Sequence, residues 1–227
     1  MVGRATGFTS HDLCPAPADR LLSHRMLDLR LRPFKERLLE PLAAHLARHV
    51  GANALTGIAL GITLGAAALA AWGRPVLALG AWLAGRLLDG LDGPVARHRG
   101  ASSDLGGYLD MVADTIGYAA VPVGVALGID ERSAWIAVSV LLGTFFVNTI
   151  SWSYLAAVLE KNGAGASTTG EMTTITMPPA LVEGTETIVL FSLFIAFPRW
   201  SAWLFAAMAA LVAVNVVQRL IWARRHL

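Results

Sequence analysis

The chain has 227 residues, 55% of them hydrophobic and only 15% charged, with a net charge of +2. Soluble domains carry about a quarter of their residues as Asp, Glu, Lys or Arg, so this chain has too little charge to coat a water-facing surface. That argues against a soluble enzyme and against a charge-rich disordered chain, and leaves a polytopic membrane protein built on one compact domain. The lone cysteine, Cys14, has no partner for an internal disulfide, and no Cys/His cluster suggests zinc. Arg outnumbers Lys sixteen to two, a bias that fits a high-GC bacterial genome better than any chemistry.

Residues 1–19 are polar, contain Pro15 and Pro17, and read as a flexible tail without a signal-peptide core. The segment 20–50 alternates leucines (Leu21, Leu22, Leu29, Leu38, Leu39, Leu46) with cations (Arg25, Arg30, Arg32, Lys35, Arg37, Arg48). This is a cationic amphipathic pattern suited to an anionic membrane surface. The competing reading is an ordinary cytosolic helix packed on the rest of the protein. From 51 to 227 the sequence predicts a catalytic domain of six transmembrane helices, at Ala54–Trp72, Val76–Ala96, Leu105–Gly128, Ala134–Leu159, Pro179–Phe197 and Ala202–Trp222. Each is near the ~20 residues that a helix needs to cross the hydrocarbon core. The expected fold is therefore all-α and integral to the membrane, with an N-terminal amphipathic surface helix.

An even number of spans puts both termini on one side. Only Arg74, Arg132 and Arg199 fall in the opposite loops, whereas the N-terminal segment, Arg97, Arg99, Lys161 and the C-terminal arginines share the first side. The positive-inside rule makes that side cytoplasmic, in a bacterial inner membrane. Gly57, Gly61 and Gly65 recur at four-residue spacing in the first span, which predicts a close helix-packing face. Trp72, Trp82, Trp200, Trp203 and Trp222 lie near predicted span ends, where indole rings anchor at the interface.

The chemistry concentrates in four aspartates. Asp89 and Asp92 are i, i+3 at the cytoplasmic end of the second span, so they share a helix face; Asp110 and Asp114 are i, i+4 on the third. A short turn joins the two helices, which predicts antiparallel neighbours with the carboxylates at similar depth. Each Asp in a membrane segment costs about 2.5–3.5 kcal/mol on insertion scales, so four together require compensation. Arg97 offers one charge, and divalent cations are the natural source of the rest. Oxygen ligands without thiols or histidines favour Mg²⁺, with Mn²⁺ or Ca²⁺ as alternatives, and four carboxylates suffice for two ions about 4 Å apart. Gly93 and Gly106 flank the cluster and would let a bulky ligand approach the backbone. A cation pathway through a transporter is the reading from another class; it leaves Gly93, Arg97 and Gly106 without a task.

The run Asp89-x2-Asp92-Gly93-x2-Ala96-Arg97-x8-Gly106-x3-Asp110-x3-Asp114 resembles the signature of the CDP-alcohol phosphotransferases at every fixed position. The resemblance weakens after about residue 160. It implies that Asp89, Asp92 and Asp110 ligate the metals, and that Asp114 is the general base and also touches the second metal. It further implies that Gly93 and Arg97 contact the nucleotide diphosphate, and that Asn53, Thr56, Ser103 and Gly106 also belong to the site that binds the CDP-lipid. The implied reaction joins CDP-diacylglycerol and a small alcohol to give a phosphatidyl alcohol and CMP, for phospholipid synthesis, in a homodimer at the membrane with no nucleic-acid partner.

Acceptor choice should be written in polar residues of the later spans. Those spans are poor in Lys and Arg; Lys161 and Arg219 are the candidates for binding an acceptor phosphate. Glu183 and Glu186 open the fifth span, and Asn148 lies in the fourth. An acidic pair suits an unphosphorylated acceptor, such as an amino alcohol, serine or inositol, better than a phosphate. The two glutamates also fit a simpler role, as negative charges at a helix N-terminus. Glycerol 3-phosphate or inositol phosphate is the alternative. The Gly/Ser/Thr-rich stretch after Lys161 reads as a flexible connection rather than a lid.

Overall fold

The structure, a computed structural model, describes residues 39–163 and 184–227. The expected tail 1–19, most of the amphipathic segment, Glu183 and nearly all of the linker after Lys161 lie outside the described residues. Those described are helical almost throughout, because a backbone in lipid has no water to satisfy its amides and carbonyls. The helices are α1 (Ala52–Ala71), α2 (Pro75–His98), α3 (Asp104–Ile129), α4 (Arg132–Lys161), α5 (Gly184–Ala196) and α6 (Ser201–His226), with a short 3₁₀ turn, Pro198–Trp200, before α6.

Local sequence explains the boundaries. Pro75 starts α2 at a position that needs no amide hydrogen. Ser103 caps α3 by accepting from the Gly106 amide at 3.1 Å. Gly73 and Gly100, at φ 68° and 59°, make the turns that close α1 and α2, a backbone region that other residues enter at a cost.

Four runs are long and apolar enough to cross a membrane: α1, α3, α4 and Pro198–Arg225, which contains most of α6. Against the six spans expected, α2 has the length at 24 residues but carries Arg86, Asp89, Asp92 and Arg97. The described part of α5 is apolar but only 13 residues long.

The packing differs from the expected one in an instructive way. α1 packs along both α2 and α3, and α2 and α3 hardly touch each other through their backbones. The helices that carry the aspartates are therefore not direct neighbours; α1 holds them apart as a spacer. Nor do Gly57, Gly61 and Gly65 form the packing face: all three are exposed, and a Cβ added to any of them would meet nothing within 4 Å. The close approach comes from the other side. A Cβ on Gly124 or Gly128 of α3 would collide with the Ala67 or Ala70 carbonyl of α1. A Cβ on Gly85 of α2 would lie 2.7 Å from the Thr63 hydroxyl. The buried stripe of α1 is instead Leu55, Thr56, Ala59, Thr63, Ala66, Ala67 and Ala70, small enough to seat two helices at once.

A second pair, α4 with α6, packs lengthwise, and α5 leans on α2. An aromatic ladder ties these units together: Trp82 stacks on Phe191 at 4.9 Å, Phe191 meets Phe194 at 4.6 Å, and Phe194 meets Phe205 at 4.9 Å. Trp82 is completely buried, so it is a core residue and not the interfacial anchor that its position suggested. Trp72, Trp200 and Trp203 are exposed near helix ends, as anchors would be.

The end of the amphipathic segment is helical over 39–46 and packs on the protein. Its Ala43 is fully buried against Leu55, Leu91 and Val95. Arg99 donates to the carbonyls of Ala47 and Val50 at 3.2 and 3.0 Å, and Glu40 pairs with His98 at 2.9 Å. For 39–50, then, packing on the bundle describes the contacts.

Candidate active site

Asp89 and Asp92 project from the second half of α2, and Asp110 from the first third of α3, into the gap that α1 keeps open. One carboxylate oxygen from each lies within 4.8 Å of the other two. The i, i+3 spacing aligns the first two on one face of α2, and the antiparallel run of α3 brings the third to the same level. Three half-buried oxygens converging at that distance are a fitting set for a hard divalent cation, which accepts carboxylates from separate elements without demanding thiols or imidazoles.

The surrounding groups hold these side chains in place. The Thr56 hydroxyl of α1 donates to Asp92 Oδ2 at 2.7 Å, so the spacer helix also orients this carboxylate. Asp114, one turn beyond Asp110, does not join the converging triad. Its Oδ1 accepts from Arg86 Nη1 at 2.5 Å, and the same nitrogen lies 3.4 Å from Asp89 Oδ2. The cation neutralising the cluster is thus Arg86, inside the helix, and not Arg97. Arg97 is exposed and makes no ion pair among the described residues.

Sequence reasoning passed over Arg86. Its signal was present, as an arginine inside a membrane segment three residues before an aspartate, which alone marks a functional position. The guanidinium carbon also sits 4.9 Å over the ring of Trp82.

The other expected residues separate into two groups. Gly106, Asn53 and Ser103 meet at the mouth: a Cβ on Gly106 would be 3.4 Å from both the Asn53 Oδ1 and the Ser103 hydroxyl. Gly93 faces the same end, with Arg97 Nη1 3.6 Å from where its Cβ would be. Asn148 belongs elsewhere, in the seam between α4 and α6, where its Oδ1 accepts from Arg219 Nη1 at 2.9 Å. Arg219 is 5% exposed and its Nε is buried without a hydrogen-bond partner among the described residues. Glu186 stands half-buried in the first turn of α5. A cavity of about 530 Å³ opens at the opposite end of the bundle, lined mostly by apolar residues such as Ala70, Pro75 and Trp200, with Glu131 and Arg199 as its charged groups; none of the clustered aspartates lines it.

The chain resembles known proteins over most of its length. The CDP-alcohol phosphatidyltransferase family profile matches residues 49–217. The inner membrane protein YnjF of Escherichia coli K12 is 35% identical over 205 residues, covering 87% of this chain and 95% of YnjF. A phosphatidylinositol phosphate synthase of Cutibacterium acnes is 30% identical over 207 residues, covering 83% and 93%. Among solved structures, the Mycobacterium tuberculosis phosphatidylinositol phosphate synthase with CDP-DAG bound superposes with a TM-score of 0.62 at 24% identity, over 81% of this chain and 92% of that one. The same protein in complex with manganese and citrate gives 0.61 at 23% identity, over 79% and 86%. At those identities the structures establish a shared fold.

Proposed function

This chain belongs to the CDP-alcohol phosphatidyltransferase family, and on that premise we propose that it transfers a phosphatidyl group from CDP-diacylglycerol to a phosphorylated alcohol, releasing CMP. The observation that carries the reading is the convergence of Asp89, Asp92 and Asp110 within the family signature, at the end of a membrane bundle. Asp89, Asp92 and Asp110 would hold divalent metal, Mg²⁺ or Mn²⁺, which when bound neutralises the diphosphate and the charge gathering on departing CMP. Asp114 takes the proton from the acceptor hydroxyl as its oxygen bonds to the phosphorus bearing diacylglycerol and the bond to the CMP oxygen breaks. Gly93, Gly106, Asn53 and Ser103 leave an open mouth for the nucleotide, and exposed Arg97 supplies a mobile guanidinium for its diphosphate. Thr56 serves the site indirectly, by orienting Asp92.

Two facts favour a phosphorylated acceptor over the unphosphorylated one that Glu183 and Glu186 suggested. The Cutibacterium relative is a phosphatidylinositol phosphate synthase. Arg219, held by Asn148, also buries a guanidinium whose Nε has no partner among the described residues, a donor suited to a phosphate oxygen. Asn148 would then act by presenting Arg219.

We also read α2 and α5 as crossing the membrane with the other four helices. In α2 the charges that lower its apolarity are the catalytic ones. The termini and the site would face the cytoplasm of the inner membrane, and the protein would act as a homodimer.

Two measurements test the reaction. Asp114→Asn should fold and bind metal yet release no CMP from CDP-diacylglycerol; normal turnover would remove Asp114 as the base. A panel of acceptors with labelled CDP-diacylglycerol should show saturable use of inositol phosphate or glycerol 3-phosphate. Turnover confined to serine, inositol or an amino alcohol would reverse the acceptor assignment.

A further inference from the structure

The cavity at the end of the bundle opposite the carboxylates lies between the two packing units. Ala70 of α1 and Val125 of α3 line it from one unit, and Ile195 and Phe197, around the end of α5, line it from the other side. Its volume of about 530 Å³ falls in the range of small-ligand sites, roughly 300–1,000 Å³. Backbone packing fixes its floor, because Gly128 of α3 leaves no room for a Cβ against the Ala70 carbonyl. Two turns then bring opposite charges to the lining. Glu131 is the N-cap residue of α4, yet its carboxylate makes no cap hydrogen bond and accepts from the Ser133 hydroxyl at a long 3.4 Å. Arg199 stands in the 3₁₀ turn, which the Trp200 amide closes on the Phe197 carbonyl at 2.9 Å. Both residues line the cavity, and neither makes an ion pair among the described residues. The runs long enough to cross a membrane, α1, α3, α4 and Pro198–Arg225, each have one end here. Trp72 and Trp203, each 76% exposed, lie at the same level with Trp200, where indoles mark a membrane interface.

We propose that this cavity binds one phospholipid with a primary-amine headgroup, a phosphatidylethanolamine, its phosphate on Arg199, its ammonium on Glu131 and the first carbons of an acyl chain against the apolar walls. The inference goes beyond the reaction proposed above and does not depend on it. Charge complementarity selects the occupant. A guanidinium takes a phosphate through charge-assisted hydrogen bonds. A phospholipid with only that charge would satisfy Arg199 and leave the Glu131 carboxylate facing a like charge. A choline headgroup restores the positive charge but has no N–H to donate to the carboxylate. Because the lining comes from both packing units, the lipid braces α1 and α3 against the end of α5. Two loop charges that served only to keep this end in water would show no preference among headgroups.

The test uses the full chain in detergent, stripped of lipid and without metal or CDP-lipid, so its result stands whether or not the reaction does. Phosphatidylethanolamine, phosphatidylcholine or phosphatidylglycerol of one acyl composition is titrated in, and bound lipid is counted by native mass spectrometry. Wild type should hold one phosphatidylethanolamine about threefold more tightly than phosphatidylglycerol. Arg199→Gln should weaken phosphatidylethanolamine binding about tenfold, the loss of a hydrogen bond to a charged group. Glu131→Gln should erase the preference between the two lipids. Arg132→Gln, which removes a charge at the same end but outside the lining, should change neither. Ala196→Phe, which fills the cavity, should weaken binding as Arg199→Gln does. Equal binding of phosphatidylethanolamine by wild type and Arg199→Gln overturns the proposal. So does a wild type that holds phosphatidylglycerol or phosphatidylcholine as firmly. Should Arg199→Gln fail to fold, wild-type binding by Ala196→Phe overturns it.

Discussion

Thr56 reaches Asp92 across the α1–α2 interface at 2.7 Å, and this one hydroxyl is how the spacer helix acts on the aspartate cluster. A hydrogen bond to a charged group is worth about 1.5–3 kcal/mol, so its loss should matter more than the small change in shape. Thr56→Val should lower kcat/KM for CDP-lipid about tenfold or more, whereas Thr56→Ser should retain most of it; steady-state CMP release by the two variants checks this. Glycines give a second prediction at this scale. A methyl at Gly124 meets the Ala67 carbonyl, which is backbone and cannot step aside, so α1 and α3 must part. Gly124→Ala should cost about 1–3 kcal/mol, seen as a lower thermal midpoint, while Gly57→Ala, which meets nothing, should leave the midpoint unchanged.

α1 looks from its own sequence like one more apolar span, with glycines for its packing side. In the assembled bundle it is the element on which the site depends, because it separates α2 from α3 by the width that lets their aspartates converge without their backbones touching. The segment 39–50 closes the same end of the bundle, stapled by Arg99 to the Ala47 and Val50 carbonyls and packed through Ala43. These bonds are exposed and so contribute modestly, less than ~1 kcal/mol each, but they are local to one short segment. Arg99→Ala should therefore speed limited proteolysis and amide exchange within 39–50 and leave the exchange of α1 and α3 as it is. Equal protection in mutant and wild type would show that Ala43 and its neighbours hold the segment unaided.

Across the whole molecule, the bundle gathers like charges in a low-dielectric layer and relies on cations to hold them there. Arg86 supplies one permanently, and on the proposed function bound metal would relieve the remaining repulsion. Mg²⁺ or Mn²⁺ should therefore raise the thermal midpoint of the wild-type protein, by an amount that grows as RT ln(1 + [L]/Kd), about 2.7 kcal/mol at a hundredfold excess over Kd. Asp110→Asn, with one charge fewer, should melt higher than wild type in EDTA and gain less when metal is restored. A wild-type midpoint indifferent to both EDTA and Mn²⁺ would mean that the triad holds no ion that matters to the fold.

Sequence by itself determined the membrane class, the helical fold and the carboxylate motif. Apolar runs near 20 residues and costly intramembrane aspartates are properties of the chain before it folds, and the i, i+3 and i, i+4 spacings set a helix face without any partner. Membership of the family followed from the same linear spacing. Which residues complete the site was decided only by tertiary structure. Arg86 rather than Arg97 became the counter-cation because helix rotation turned Arg86 inward and left Arg97 exposed. Trp82 became its platform because α5 covers that face of α2, and Asn148 joined Arg219 because α4 and α6 pack lengthwise. α1 came to lie between α2 and α3 because the glycines that matter sit on its partners. Such facts depend on which faces meet, and a periodic pattern on one helix carries no record of the helix that will pack against it.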